Sequence, residues 1–69
     1  MMILLKDLDR NEYYLNIDLI EAIYEHQGDT SEIVLVNGER YSCVESPIYV
    51  SNKINLIKIA NQPKNIQST

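Results

Sequence analysis

This 69-residue chain has one cysteine, Cys43, two glycines and two prolines, and no phenylalanine or tryptophan. Each scarcity excludes something. A lone cysteine allows no disulfide within the chain, and with His26 it offers two soft ligands where a structural zinc site takes four. Gly28 and Gly38 stand too far apart to form a glycine-rich loop around a phosphate. No apolar run reaches the roughly 18–20 residues of a membrane span. Met1–Leu5 meets Lys6-Asp7 too early to be the hydrophobic part of a secretion signal. A cytoplasmic protein without metal, cofactor or membrane insertion is the expectation, and a free cysteine agrees with a reducing compartment. The doubled methionine makes Met2 a candidate natural start.

Acid is missing from one end of the chain. All ten acidic residues lie at or before Glu45, with Lys6, Arg10 and Arg40 beside them, which leaves −7 for that part. From Ser46 onward Lys53, Lys58 and Lys64 stand without any acid, which gives +3. A mostly acidic surface repels nucleic acid, and nothing here builds the basic cluster of a general DNA or RNA binder. Ordinary solubility charge is the plainer reading. A chain this short buries only about 60% of its unfolded surface, so self-association is the support left open once disulfides and metals are excluded.

What is present is mainly strand pattern. Ile3–Leu8 reads as a first strand, and Asp9-Arg10-Asn11 as a turn with Asn11 in the left-handed conformation. Glu12–Leu15 returns, with Tyr13 and Tyr14 on opposite faces. Asn16-Ile17-Asp18 is a break, because short polar side chains bond their own backbone. Leu19–His26 fits both periods, and its shortness favours strand. Glu32–Val36 and Arg40–Val44 make a hairpin closed by Asn37-Gly38. A two-residue turn there pairs Val36 with Glu39 and Val34 with Tyr41. One face then carries Val34, Val36, Tyr41 and Cys43, and the other Ile33, Leu35 and Val44. Apolar residues on both faces imply a sheet covered on both sides or curled into a barrel.

Ser46-Pro47 is a helix start, serine capping and proline at the first helical position. Projected at about 100° per residue, Ser51, Lys58 and Asn55 form one narrow polar strip over 47–60. Ile48, Ile59, Leu56, Tyr49, Ala60, Ile57, Val50 and Ile54 occupy most of the remainder, broken by Asn52 and Lys53. That arc is nearly twice the stripe of an ordinary surface helix, somewhat over 100° wide. One sheet cannot cover it, and a second chain is the natural cover. The β-branched content also permits a strand–turn–strand over the same residues.

The whole therefore reads as an α+β, mainly β domain over residues 1–60. It is a small antiparallel sheet or partly closed barrel of about five short strands followed by one C-terminal helix, with 61–69 a disordered tail.

No chemistry stands out. Asp7, Asp9 and Glu12 gather near the first turn but lack the further oxygen ligands of a calcium loop. His26 has no serine or cysteine at a spacing that marks a partner, and Cys43 has no activating base. The five tyrosines, unaccompanied by other aromatics or by basic neighbours, suit a protein interface better than a nucleic-acid platform. An enzyme is not expected. Tyr13, Tyr14, Tyr49, Leu56 and Ile59 are the candidate interaction residues.

Ile3, Leu5 and Leu8, then Glu12-Tyr13 and Leu15-Asn16, then Asp18–Glu21 with Ile23, follow an order and spacing that resembles the small flagellar protein family FlbD, also called SwrD. Ile33, Leu35, Asn37-Gly38, Tyr41, Val44, Glu45-Ser46, Val50, Lys53 and Ile54 continue it, so that the resemblance spans about residues 2–58. Two departures stand out: Asp9-Arg10-Asn11 replaces an Asn-Gly turn, and the glutamate-rich helix of the family is here Pro47, Tyr49, Ser51, Asn52 and Asn55. The resemblance implies a cytoplasmic accessory protein of flagellar motility without an established enzymatic activity, acting on a flagellar motor or other protein partner. It supplies no catalytic residues. A weaker analogy, to LytTR-type DNA-binding domains, makes the chain a small regulator of transcription or translation. An acidic inhibitor from a mobile element is a third reading that composition allows.

Overall fold

The computed structural model describes residues 1–61. Strand β1 (Met2–Lys6) pairs antiparallel with β2 (Glu12–Asn16), placing Ile3 opposite Leu15 and Leu5 opposite Tyr13. Strands β3 (Ile20–His26), β4 (Thr30–Leu35) and β5 (Arg40–Cys43) form a second antiparallel sheet in that order. Helix α1 (Pro47–Ala60) completes an α+β, mainly β domain. The sheets do not close into a barrel. They meet at one seam, where the Val44 N–H donates to the Lys6 carbonyl at 2.9 Å and the Tyr13 hydroxyl donates to the Ser42 carbonyl at 2.6 Å.

The first turn starts two residues earlier than its sequence suggests. One Asp7 carboxylate oxygen accepts the N–H groups of Asp9 and Asn11, both at 2.9 Å, and the Asp7 carbonyl accepts from the Arg10 N–H. Asp7 thus opens a type I turn, and the left-handed residue is Arg10 (φ 69°) rather than Asn11. Strand β1 consequently ends at Lys6, and Leu8 stands half exposed on the turn. Asn16 makes the expected break: its side chain accepts from the Asp18 N–H at 3.0 Å and opens a 3-10 turn over Ile17–Leu19. The strand expected after it forms as β3. At the β3–β4 turn Gly28 and Asp29 are both left-handed, with φ 64°.

The β4–β5 hairpin corrects the sequence reading by one residue. Ile33 pairs with Tyr41 and Ser31 with Cys43, so the loop is Val36-Asn37-Gly38. Only Gly38 is left-handed, at φ 91°, while Asn37 takes an ordinary turn conformation with its side chain accepting from the Glu39 N–H at 3.0 Å. The slip has a large consequence, because shifting a strand by one residue moves every side chain to the other face. Tyr41 and Cys43 leave Val34 and join Ile33 and Leu35, and one apolar face replaces two. Collecting these groups on a single buried surface is what favours the three-residue loop.

That surface is the core: Ile3, Leu5, Leu15, Ile17, Ile33, Leu35, Cys43 and Val50 are buried. Ser31, the buried polar residue among them, donates to the Glu45 carbonyl at 2.6 Å. Helix α1 forms over the residues that sequence assigned to it, and not as a strand pair. The Ser46 hydroxyl accepts from the Tyr49 N–H at 3.2 Å, and Pro47 occupies the first turn. The helix packs on β1 and β3 through Val50, with Ile54 and Ile57 lying against the core. Asn61 caps its end. The expectation of a disordered tail falls, beyond Asn61, outside the described residues.

The register makes a checkable statement. Ile33→Ala should cost about 2–5 kcal/mol, comparable to the whole stability of a domain this small, and abolish cooperative unfolding near 37 °C. Val36→Ala, at a site 61% exposed, should change stability by under about 0.5 kcal/mol. Urea denaturation of both variants checks this, and similar costs at the two positions would contradict the observed pairing.

Candidate interaction surface

Two regions gather the remaining functional groups. The first is an open cleft of about 500 Å³ between the β1–β2 turn and β5, lined by Asp7, Leu8, Asp9, Tyr13, Arg40, Tyr41 and Ser42. Tyr13 and Tyr41 stack there with ring centroids 5.8 Å apart. Most of its polar groups already have partners. Asp7 is held in its turn, the Tyr13 hydroxyl donates to Ser42, the Tyr41 hydroxyl donates to Glu39 at 3.1 Å, and Arg40 pairs with Glu32 at 3.2 Å. The cleft is thus chiefly the join between the two sheets. Sequence reading missed the tyrosine pair, because the two-residue turn put Tyr41 on the other face of its strand.

Two groups at this seam, Tyr13 and Cys43, hold their protons more tightly than usual. Burial pushes the Tyr13 phenol well above its ordinary value of 10.0, and the nearby Cys43, Asp7, Glu45 and Tyr41 add to the effect. Burial likewise raises the Cys43 thiol above 9.0, against a lowering hydrogen bond from the Glu45 backbone. The Cys43 sulfur accepts from the Glu45 N–H at 3.4 Å and faces its carboxylate at 3.8 Å, surroundings that keep a thiol protonated rather than activate it. His26 is exposed at the β3–β4 turn.

The second region is the outer face of α1. With Val50, Ile54 and Ile57 turned inward, Ile48 remains 75% exposed, Leu56 66%, Ile59 63% and Tyr49 48%. Lys53 does not interrupt this stripe. Its ammonium reaches the Leu4 carbonyl at 2.8 Å, tying α1 to β1, and lies 5.7 Å from the Tyr49 ring centroid. The structure therefore brings together three of the five residues picked from sequence, Tyr49, Leu56 and Ile59, and adds Ile48 beside Ile59. The helical projection already placed Ile48 there. Tyr13 is separate from this group and packed at the seam. Tyr14 is exposed on the opposite face of β2, across from Leu4.

The chain is thus a small, mainly β domain carrying one helix with a bare apolar face. The family model FlbD, described as flagellar and swarming motility proteins, matches residues 2–60, and the chain belongs to that family. No curated protein and no solved structure gives a significant match. Among the described residues no helix is long and apolar enough to cross a membrane, and no three histidine, cysteine, aspartate or glutamate side chains are grouped to hold a metal ion.

The seam predicts an alkaline limit. Tyr13 and Cys43 are neutral when protonated and bind their protons more tightly in the fold. Their stabilisation is therefore full below about pH 9 and is lost as pH rises through 10 and beyond. Tyr13→Phe should lower stability by about 1 kcal/mol at pH 7 through the lost bond to Ser42. It should also flatten the fall above pH 10. Thermal melts between pH 7 and 11 check this, and a variant whose melting profile parallels the wild type throughout would contradict it.

Proposed function

We propose that this FlbD-family chain is a non-enzymatic, cytoplasmic accessory protein of flagellar motility that acts by protein–protein contact, with the outer face of α1 as its contact surface. The observation that carries this reading is the stripe Ile48, Tyr49, Leu56 and Ile59, four large side chains about half exposed or more on one helix. Scattered apolar residues on a surface are ordinary, whereas a contiguous patch of several hundred Å² marks an interaction site. Family membership supplies the motility context.

Charge weighs against the nucleic-acid reading. Up to Glu45 the chain carries ten acids against three basic residues. Among the basic groups, Arg40 is paired with Glu32 and Lys53 with the Leu4 carbonyl. Counterion release needs several free cations facing phosphate.

The test is complementation of a strain lacking the chain. Leu56→Glu and Tyr49→Glu should keep the wild-type circular dichroism spectrum and cellular level yet reduce swarming to that of the deletion. Wild-type swarming by both variants would contradict the proposed surface. A salt-sensitive shift of DNA or RNA by the purified protein would favour the regulator instead.

A further inference from the structure

Resting on the reading of α1 as a contact surface, we infer that its occupant is a second copy of this chain, joined as an antiparallel helix pair about a two-fold axis passing beside Asn52.

The arrangement follows from where the exposed residues fall on the helix. Ile48 and Ile59 are eleven residues apart, about three turns, and so lie within about 20° of each other on one edge of the stripe. Tyr49 and Leu56 are seven apart, about two turns, and lie within about 20° of each other on the other edge. The midpoints of the two pairs fall between residues 53 and 54 and between residues 52 and 53, about 2 Å and about 1 Å along the helix from Asn52, which projects onto the middle of the stripe. A two-fold axis crossing an antiparallel pair keeps each edge on its own side and reverses position along the helix. With the axis between residues 52 and 53, Tyr49 of one copy is level with Leu56 of the other, while Asn52 is offset from its counterpart by about 1.5 Å and Ile48 from Ile59 by about 3 Å along the helix, within side-chain reach. This is the self-complementarity that an isologous interface requires, residue i meeting j while j meets i.

Asn52 chooses among occupants. A purely apolar groove closing over it would leave its amide unpaired, which is unfavourable. A second Asn52 offers one donor to one acceptor in both directions, because the amide carries both. Single asparagines in apolar helix seams fix register and partner number in this way.

Area and charge agree. The four exposed side chains present on the order of 500 Å² per copy, so a pair that covered them fully would bury about 1,000 Å², the lower bound of a specific interface. Facing helices place each acidic β body on the outside, with two helix layers of about 10 Å each between them. That separation exceeds the Debye length of about 8 Å at physiological salt, so the acidic bodies scarcely repel. No acidic residue lies in α1 to repel its own copy.

Directed cross-linking tests the geometry. Asn52→Cys should oxidise to a disulfide-linked pair by itself, while Ile48→Cys and Ile59→Cys should each stay largely unlinked alone and form a mixed pair when combined. Buried Cys43 stays in place, and the wild type serves as its control. In sedimentation equilibrium the wild type should run near 16 kDa, twice its 8.0 kDa chain mass, at tens of micromolar, and Leu56→Glu should weaken that pair at least about 30-fold.

A wild type that stays at 8.0 kDa to 200 μM, or an Ile48→Cys chain that links to itself as readily as to Ile59→Cys, would overturn the inference. The functional reading fails separately. If Leu56→Glu abolishes swarming while the wild type is monomeric, the surface stands and the second copy falls. If Leu56→Glu breaks the pair and swarming is untouched, the pair stands and its motility role falls.

Discussion

Everything in this domain depends on how β4 meets β5. With Gly38 in the left-handed region, the hairpin closes through a three-residue loop, and Tyr41 and Cys43 fall on the same side as Ile33 and Leu35. That side becomes the floor on which β1 and α1 pack. Tyr41 can then stack on Tyr13, Val44 can reach the Lys6 carbonyl, and Val50 can bury itself completely. In the alternative register Cys43 and Tyr41 would point away from Ile33, and neither sheet face would be apolar enough to recruit the helix. Left-handed residues close all three hairpins, at Arg10, at Gly28 with Asp29, and at Gly38, so the strand pairings rest on a few local backbone choices.

A core assembled this way is small, and its size explains the exposed helix face. The sheets offer α1 one apolar surface, and Val50, Ile54 and Ile57 fill it. The remaining apolar residues of α1 have no partner surface among the described residues. The domain thus buries one face of its helix internally and leaves the other exposed. Charge divides the molecule in the same way, into an acidic β body and an acid-free helix.

Much of this was legible in the sequence. Ser46-Pro47 marked the helix to within a residue, because capping is a local interaction between a hydroxyl and a nearby N–H. The break at Asn16-Ile17-Asp18 was readable for the same reason, and so were the succession of five short strands and the over-wide apolar arc, while the division into two sheets was not. The misreadings were of register. Asn37-Gly38 suits a two-residue turn and also serves as the last two residues of a three-residue one, and only burial of the flanking strands decides between them. The first turn slipped likewise, since Asp7, rather than Asp9, had the carboxylate placed to accept two N–H groups. Cleft residues contributed by distant strands, such as Tyr41 beside Tyr13, inherit any register error and were invisible for that reason. The FlbD resemblance was legible over nearly the whole domain, because it lies in the order of short apolar and polar signals and not in register.

The central claim we propose is that the outer face of α1 is covered by a second copy of this chain. Methyl NMR spectra of isoleucine- and leucine-labelled protein, recorded from micromolar to millimolar concentration, test it most directly. The account predicts that the Ile48, Leu56 and Ile59 resonances shift or broaden together while Ile3 and Ile33 hold still. Spectra unchanged across that range, or changes centred on Leu4 and Leu8 instead, would contradict it.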